Sequence, residues 1–295
     1  MAACGALADA AGWQATFYAT GAAGALWFVA WMLVVRDSPD VDPRITPQEK
    51  KFIHDALGSV KPQAAGGRRP WGRILRSPPV WAVAVAHFCE GWGYTTFLTQ
   101  LPTFMTDALN FNLAKSGLLS ALPYVAMIVS LPSVSVLSDW LVARKFLTVT
   151  QARKTFNCVA FLAQTVFLFL TTVVGSPYAV VACMTIAQGI GAFACCGFSV
   201  NPLDLAPQHA SVIMGLSCTV STLSGMVSPL LTGFIVTDKT QEQWNKVFYV
   251  ASGVYLFGAV FYFLFASGER QSWAKDGSEA EAEAENSAEA VPLKA

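Results

Sequence analysis

Seven apolar segments, each long enough to cross a bilayer as a helix, make up most of this 295-residue chain. The hydrocarbon core of a bilayer is about 30 Å thick, and a helix needs about 20 mostly apolar residues to cross it. The segments run over residues 13–35, 79–104, 115–137, 154–175, 178–200, 209–236 and 247–266. They predict an all-α membrane protein with seven transmembrane helices, embedded in the lipid bilayer as a multi-pass protein.

The charged residues indicate how the chain is oriented. Only 13% of residues are charged and the net charge is zero, so no global field points to nucleic acid as a partner. Lys and Arg concentrate in residues 36–76, 144–154 and 270–294, which fall on one predicted side, whereas Lys115, Lys239 and Lys246 fall on the other. Because loops on the cytoplasmic side contain the excess of Lys and Arg, the C-terminus is predicted to be cytosolic and the N-terminus external or lumenal.

The single long connection, 36–78, contains a helix-start signal. Thr46 can cap a helix that has Pro47 at its first position and Glu49 three residues after the cap. This pattern predicts a short amphipathic helix over 47–57. The tail after residue 268 becomes acidic and rich in alanine, and disorder is expected beyond Asp276.

Glu90 is the strongest candidate for a functional side chain, because an ionisable group in the middle of a membrane span is costly. His87, Glu90 and Tyr94 follow the spacing i, i+3, i+7 and share one face of the second span. One interpretation is a carboxylate that lines a water-filled path and couples transport to protons or another ion. The alternative is a structural carboxylate held by His87 or by a neighbouring helix.

The sixth span contains a row of serines along one helical face. The row consists of Ser217, Ser221, Ser224 and Ser228. Such a row can line a polar cavity, but small residues also let membrane helices pack closely and hydrogen-bond across the gap. The sequence leaves both interpretations open.

Two loops contain further candidates with a conformational role. Asp139 with Arg144 and Lys145, between the third and fourth spans, can form a charge relay that locks one conformation, and Asn201 and Asp204 can cap helix ends between the fifth and sixth spans. A structural role is the more common one for such residues. The adjacent Cys195 and Cys196 lack metal-ligand spacing, so they are interpreted as packing residues; no metal and no cofactor are expected.

Specific stretches give the chain a family resemblance. Ser138-Asp139-Trp140-Leu141 is followed by a basic cluster, as in a loop of the C-terminal half of the major facilitator superfamily. Within that superfamily the chain resembles the anion/cation symporter branch, which includes sialin, the vesicular glutamate transporters and the type I sodium–phosphate cotransporters. The matching stretches are HFC at 87–89, LPTFM at 101–105, LLSALPY at 118–124, LDLAP at 203–207, LSGMV at 223–227 and FASGERQSWA at 265–274.

The resemblance implies a partial major facilitator fold, since the family has twelve spans in two halves joined by a long cytoplasmic loop. It assigns residues 1–36 to the end of the N-terminal half, 37–78 to the central loop, 79–267 to the C-terminal six-helix half and 268–295 to an acidic cytoplasmic tail. The seven spans then correspond to family helices 6–12. The chain is accordingly expected to be a fragment that lacks the first five helices and does not transport alone.

The implied activity is symport of organic anions or inorganic phosphate, coupled to protons or sodium, by alternating access. The expected partners are a small anionic solute and the coupling ion, in the plasma membrane or a lysosomal or vesicular membrane, and no enzymatic activity is expected. Where this chain has Glu90, vesicular glutamate transporters have an arginine that engages anionic substrate. A sialin-like specificity is therefore favoured over glutamate.

Other classes fit the sequence less well. A seven-span receptor has the same topology, but the last span, 247–266, contains no proline and no Asn-Pro signature. An intramembrane protease needs a pair of mid-span acids or a Ser–His pair, whereas Glu90 is a single acid. A transport-inactive, truncated isoform that acts as an interaction partner is a further alternative.

Overall fold

The structure is a computed structural model that describes residues 7, 11–57, 70–111 and 113–274. The chain divides into two compact units, Met1–Gly67 and Arg68–Ala295, and the boundary between them falls inside the predicted central loop. The acidic tail beyond residue 274 and the part of the loop at 58–69 lie outside the described residues.

The first unit contains helices α1 (Trp13–Val34) and α2 (Pro47–Leu57). Helix α1 has no buried residue among those described, as expected for a helix whose apolar side chains face lipid. The predicted helix over 47–57 is confirmed, and the Thr46 hydroxyl accepts a hydrogen bond from the backbone N–H of Glu49 at 3.2 Å. A side-chain cap therefore starts α2 where the sequence predicted it.

The second unit is a bundle of long helices with short connecting elements. Its helices are α3 (Trp71–Arg76), α4 (Pro78–Asp107), α5 (Leu113–Leu119), α6 (Leu122–Ala143), α7 (Val149–Val173), α8 (Pro177–Gly191), α9 (Asn201–Leu205), α10 (Ala210–Ile235) and α11 (Gln241–Phe265). A π-helical turn, Cys195–Ser199, lies between α8 and α9. Short 3₁₀ turns follow at Pro207–His209 and Ser272–Ala274.

The long helices pack in an order that differs from their order along the chain. Helix α4 packs against α10 on one side and α11 on the other, α11 packs against α7, α7 against α8, and α8 against α6. Helices α6 and α10 therefore lie at the two ends of this order. Helix α4 is the most central of those that contain predicted site residues, and it contributes fourteen buried residues.

Aromatic side chains and close backbone approaches hold the bundle together. The Phe104 ring lies 5.4 Å from that of Trp244 and 4.9 Å from that of Phe248, which ties α4 to α11. A Cβ atom on Gly258 would come within 2.8 Å of the Cys89 sulfur, so glycine lets α11 approach α4 there. Such close approaches are typical of helix packing in membranes. No hydrophobic force drives helices together there, and small residues let the backbones approach closely enough for van der Waals packing.

Among the described residues, six helical segments are long and apolar enough to cross a membrane. They are Trp13–Val34, Lys115–Ala143, Val149–Val173, Pro177–Leu205, Pro207–Ile235 and Gln241–Phe265. The seventh predicted span corresponds to α4, whose 30 residues suffice in length but include His87, Glu90 and several threonines. Neighbouring helices, rather than lipid, surround much of α4. The predicted all-α membrane fold is confirmed.

Two spans begin earlier than their apolar segments predicted. Helix α7 begins at Val149, where Thr148 and Gln151 form a capping box, and not at residue 154. Helix α11 begins at Gln241 and not at residue 247, because the Thr240 hydroxyl caps it by accepting a hydrogen bond from the backbone N–H of Gln243. In both cases a polar first turn extends the helix beyond its apolar stretch, so hydropathy alone misplaces the start.

Candidate functional site

Helix α4 presents its three predicted site residues to different surroundings. Glu90 is 8% exposed and belongs to the buried interior, His87 is half-buried, and Tyr94 is 41% exposed. The three residues extend over about two helical turns but point towards only part of the helix circumference. Neighbouring helices cover one edge of this face and leave the other open. Glu90 is therefore the most buried of the three side chains.

Glu90 lies among polar side chains of α7 and α11. The side-chain amide of Gln164 interacts with its carboxylate, and the Gln164 Nε2 also donates a hydrogen bond to the Tyr255 hydroxyl at 3.1 Å. One carboxylate oxygen, Oε2, is buried and has no hydrogen-bond partner among the described residues. Burying a carboxylate with an unmatched oxygen is costly. The cost is avoided if the acid is protonated, or if a neighbouring side chain rearranges to donate a hydrogen bond to that oxygen.

His87 joins α4 to α10 and to the π-helical turn. Its Nδ1 lies 3.1 Å from the Ser217 Oγ, within hydrogen-bond distance. Its ring centroid lies 5.1 Å from that of Phe198, in the π-helical turn. His87 thus contacts one of the predicted serines, and the pair of polar groups is held between two helices.

The serine row on α10 faces α4 over most of its length. Ser217, Ser224 and Ser228 are buried and Ser221 is half-buried. A Cβ atom on Gly91 of α4 would overlap the hydroxyl oxygens of Ser221 and Ser224, so the two backbones approach closely. The row therefore forms a close helix contact, and Ser221 is its most accessible member.

Tyr94 lies on the more exposed side of α4 and contacts α6. Its ring meets the Tyr124 ring edge-to-face, with centroids 6.1 Å apart. The Tyr124 hydroxyl is buried and has no hydrogen-bond partner among the described residues. Two tyrosines from different helices thus form a contact that includes one buried hydroxyl without a partner among the described residues.

Asp204 forms an ion pair that the sequence analysis did not include. The Arg153 Nε donates to Oδ2 of Asp204 at 2.7 Å, and Nη2 donates to Oδ1 at 3.3 Å. A third donor, Nη1, reaches the backbone carbonyl of Cys196 at 2.9 Å. One guanidinium therefore joins α7, the π-helical turn and α9 through charge-assisted hydrogen bonds. The capping box before α7 is the sequence signal that places Arg153 on a helix.

The other loop candidates occupy different environments. Asn201 is buried, and its side-chain amide donates to the Tyr262 hydroxyl at 2.8 Å. Asp139 and Arg144 are exposed at the end of α6, and the described part of the chain shows no ion pair between Asp139 and either Arg144 or Lys145. The arginine that binds a loop carboxylate is thus Arg153, a residue that sequence spacing does not connect with Asp204.

Comparison with known proteins places the chain in a family. The family model described as Major Facilitator Superfamily matches residues 1–229. The chain is 37% identical to vesicular glutamate transporter 1 of Bos taurus over 278 residues, which is 93% of this chain and 50% of that relative. It is 38% identical to vesicular glutamate transporter 1 of Xenopus tropicalis over 279 residues, 93% of this chain and 48% of the relative. It is 35% identical to vesicular glutamate transporter 2 of Mus musculus over 277 residues, with the same two shares.

The chain spans about half the length of the curated relatives that it matches. The similarities confirm the resemblance to the anion/cation symporter branch, and they favour a transporter over a seven-span receptor or an intramembrane protease. The helical bundle, its membrane-length helices and the family-model match lead to one assignment: this chain is an integral membrane protein that belongs to the Major Facilitator Superfamily.

Proposed function

We propose that the six-helix bundle of the second unit is one half of an alternating-access transporter for a small anion. The observation that most supports this proposal is the similarity to vesicular glutamate transporters, which extends over 93% of the chain. In this proposal the bundle rocks against a second half around a site near the middle of the membrane. The transported solute is an organic anion or inorganic phosphate, and a proton or a sodium ion is coupled to its movement.

The path is assigned to the side of α4 and α10 on which His87, Tyr94 and Ser221 lie. These three side chains are partly exposed, whereas Glu90, Ser217, Ser224 and Ser228 on the same two helices are buried. His87 and Ser221 supply hydrogen-bonding groups, and Tyr94 supplies a hydroxyl and an aromatic face. An anion that enters this side meets donors without a fixed carboxylate in its way, since Glu90 lies deeper.

Glu90 is assigned to coupling and not to direct contact with the solute. A charged carboxylate next to an anion path repels the solute, whereas the protonated form does not. The nearby Gln164 and Tyr255 can hydrogen-bond either form, so the cluster can accept and release a proton during the cycle. Helices α7 and α11, which supply these two residues, then move with the protonation state of Glu90.

The paired Asp204 and Arg153 and the buried Asn201 are assigned to stabilising one conformation of the bundle. They lie at the junction of α7, the π-helical turn and α9. Asp139 and Arg144 are exposed and free to pair in another state of the cycle. The Lys and Arg distribution supports a cytosolic C-terminus in a plasma, lysosomal or vesicular membrane.

Uptake into liposomes tests the proposal. The 295-residue chain is reconstituted alone and together with the N-terminal half of a vesicular glutamate transporter, supplied as a separate polypeptide. Labelled glutamate, sialic acid and phosphate are offered under an imposed pH gradient or a sodium gradient. Gradient-driven uptake is expected only with both polypeptides, because the site needs residues of both halves.

Two results would contradict it. A stable complex of the two polypeptides that takes up none of the three anions, under either gradient, would refute anion transport. Uptake by the 295-residue chain alone would refute the requirement for a second half. Binding of the two polypeptides to each other, measured by co-purification, separates a failed assembly from a failed activity.

A further inference from the structure

A wide groove lies where the bundle's first long helix begins. It has a volume of about 830 Å³ and lies between the α3–α4 junction and the turn that follows α11. Arg73, Arg76 and Ser77 line one wall, and Gln271, Ser272 and Trp273 line the other. The groove is therefore formed by segments almost 200 residues apart in the chain, held together in part by a contact of the Ser77 hydroxyl with the Gln271 side chain at 3.5 Å.

The groove is rich in hydrogen-bond donors and contains two unmatched positive charges. Arg73 and Arg76 are exposed, and neither forms an ion pair or a side-chain hydrogen bond with another described residue. Arg153, by contrast, binds Asp204, and Arg36 and Arg44 donate to backbone carbonyls of α1. Guanidinium groups bind phosphate oxygens through paired hydrogen bonds, so this groove suits a phosphate group.

The surroundings of the groove indicate where its ligand resides. Trp71, Leu75 and Trp81 are all exposed beside the arginines, and the Trp81 Nε1 donates to the Leu75 carbonyl at 2.7 Å. Tryptophan and other large apolar side chains that flank basic residues at the end of a membrane helix are typical of the bilayer interface. The arginines thus lie at the depth of lipid headgroups, with apolar side chains able to contact acyl chains next to them.

We propose that this groove binds the phosphate headgroup of an anionic phospholipid. The two arginines bind the phosphate, the side chains of Gln271 and Ser272 offer further hydrogen bonds, and Trp71 and Leu75 contact the lipid's apolar part. Basic residues next to a membrane helix attract anionic lipids in general. Here the built groove and its unmatched arginines define one particular site.

Native mass spectrometry of the purified chain in detergent tests the site. Phosphatidic acid and phosphatidylcholine are added as lipids, and glycerol phosphate is added as the same phosphate without acyl chains. Phosphatidic acid is expected to bind to the wild type more tightly than either of the other two. The double variant R73Q/R76Q is expected to weaken phosphatidic acid binding by about tenfold or more, because two charge-assisted contacts are lost.

Two further variants separate a built site from a general effect of charge. R36Q/R44Q removes two arginines elsewhere and is expected to leave phosphatidic acid binding within about twofold of the wild type. R73K/R76K retains the charge but not the paired geometry, and is expected to fall between the wild type and R73Q/R76Q. Equal losses in R73Q/R76Q and R36Q/R44Q would overturn the proposal. Glycerol phosphate binding as tight as that of phosphatidic acid would also overturn it, in favour of a soluble phosphate ligand.

Discussion

The Arg153 guanidinium binds the Asp204 carboxylate through two hydrogen bonds, across 51 residues of sequence. Both side chains are mostly covered, with exposed fractions of 12% and 19%. Since the same guanidinium also reaches the Cys196 carbonyl, it fixes the start of α7 against the turn that leads into α9. Breaking a covered pair leaves an unmatched charge behind, and this is costly.

We expect Asp204→Asn to lower the free energy of unfolding by about 3 kcal/mol, because it leaves the Arg153 charge without its partner. Unfolding in detergent can be followed by the reaction of the buried thiols Cys89 and Cys196 with a thiol-specific dye. The control is Glu242→Gln, which breaks the exposed pair with Lys246 and is expected to cost less than about 1 kcal/mol. Equal effects of the two variants would show that the Arg153–Asp204 pair contributes no more than a surface pair.

Gly197 lies against the same junction. A Cβ atom there would lie 2.6 Å from the Asn157 Cβ and 3.0 Å from the backbone oxygen of Arg153. Because a backbone atom cannot move aside easily, Gly197→Ala is expected to destabilise the bundle by about 2 kcal/mol. Gly253→Ala on α11, where a Cβ would meet nothing within 4 Å, is the matched control and should be neutral or slightly stabilising. If Gly197→Ala has no effect in the same thiol-reaction assay, the π-helical turn and α7 can move apart to accommodate a methyl group without loss of stability.

The contact between His87 and Ser217 can be measured by a double-mutant cycle. His87→Ala, Ser217→Ala and the double variant are compared in thermal unfolding in detergent. A coupling of about 1 kcal/mol is expected, since one neutral hydrogen bond is shared between two covered groups. Additive single effects would show that the 3.1 Å contact contributes nothing to the α4–α10 association.

The role proposed for Glu90 predicts a change in coupling. Glu90→Gln keeps the shape and hydrogen-bonding of the side chain but removes its titration. In the two-polypeptide uptake assay we expect the variant to lose the dependence of uptake on the pH gradient, while anion binding persists. Glu242→Gln, at an exposed position, should keep the wild-type dependence. If Glu90→Gln retains both the wild-type rate and the wild-type pH dependence, Glu90 is a structural carboxylate.

Asp40, in the loop before α2, is expected to titrate at a lower pH than an ordinary aspartate. Hydrogen bonds from Lys50, at 2.8 Å, and from His54, at 3.3 Å, hold the pKa of the Asp40 carboxyl below its ordinary value of 3.8. A lowered pKa in the folded state stabilises the fold above pH 3.8, and this contribution is lost as the pH falls through the lowered value. Lys50→Gln should raise the pKa of Asp40 towards 3.8.

The titration of Asp40 is measurable by carboxyl NMR of the selectively labelled full chain in micelles. The control is Lys51→Gln, which removes the same charge from the neighbouring residue, for which no ion pair with Asp40 is described. A Lys51→Gln variant that shifts the Asp40 pKa as much as Lys50→Gln would mean that general charge, and not the close contact, sets the value.

The sequence predicted the helices better than the contacts between them. Apolar length located every long helix, and the Thr46-Pro47 signal located α2. Arg153 was counted with a basic loop because the apolar stretch begins at residue 154, although a capping box starts the helix at Val149. Its pairing with Asp204 depends on how α7 and α9 meet, and no local pattern contains that information.

The site residues illustrate the same limit. Helical periodicity correctly gave Glu90, His87 and Tyr94 similar directions, but a side chain's exposure depends on which neighbour covers that part of the turn. Gln164 and Tyr255, which lie near Glu90, come from two other helices. No local sequence pattern connects either residue with Glu90. For the serine row, the sequence left packing and cavity open, and the close approach of Ser221 and Ser224 to Gly91 depends on the facing helix, which the serine spacing does not contain.

The π-helical turn Cys195–Ser199 sets an angle as well as a length. Each hydrogen-bonded turn there contains one residue more than an α-helical turn, and one residue corresponds to a rotation of about 100° around the helix axis. The extra residue therefore sets the direction in which the side chains of the following helix α9, including Asp204, point around the axis. A deletion of a single residue between 195 and 199 would swing the Asp204 carboxylate around the axis and away from Arg153, even with every side chain of the pair unchanged.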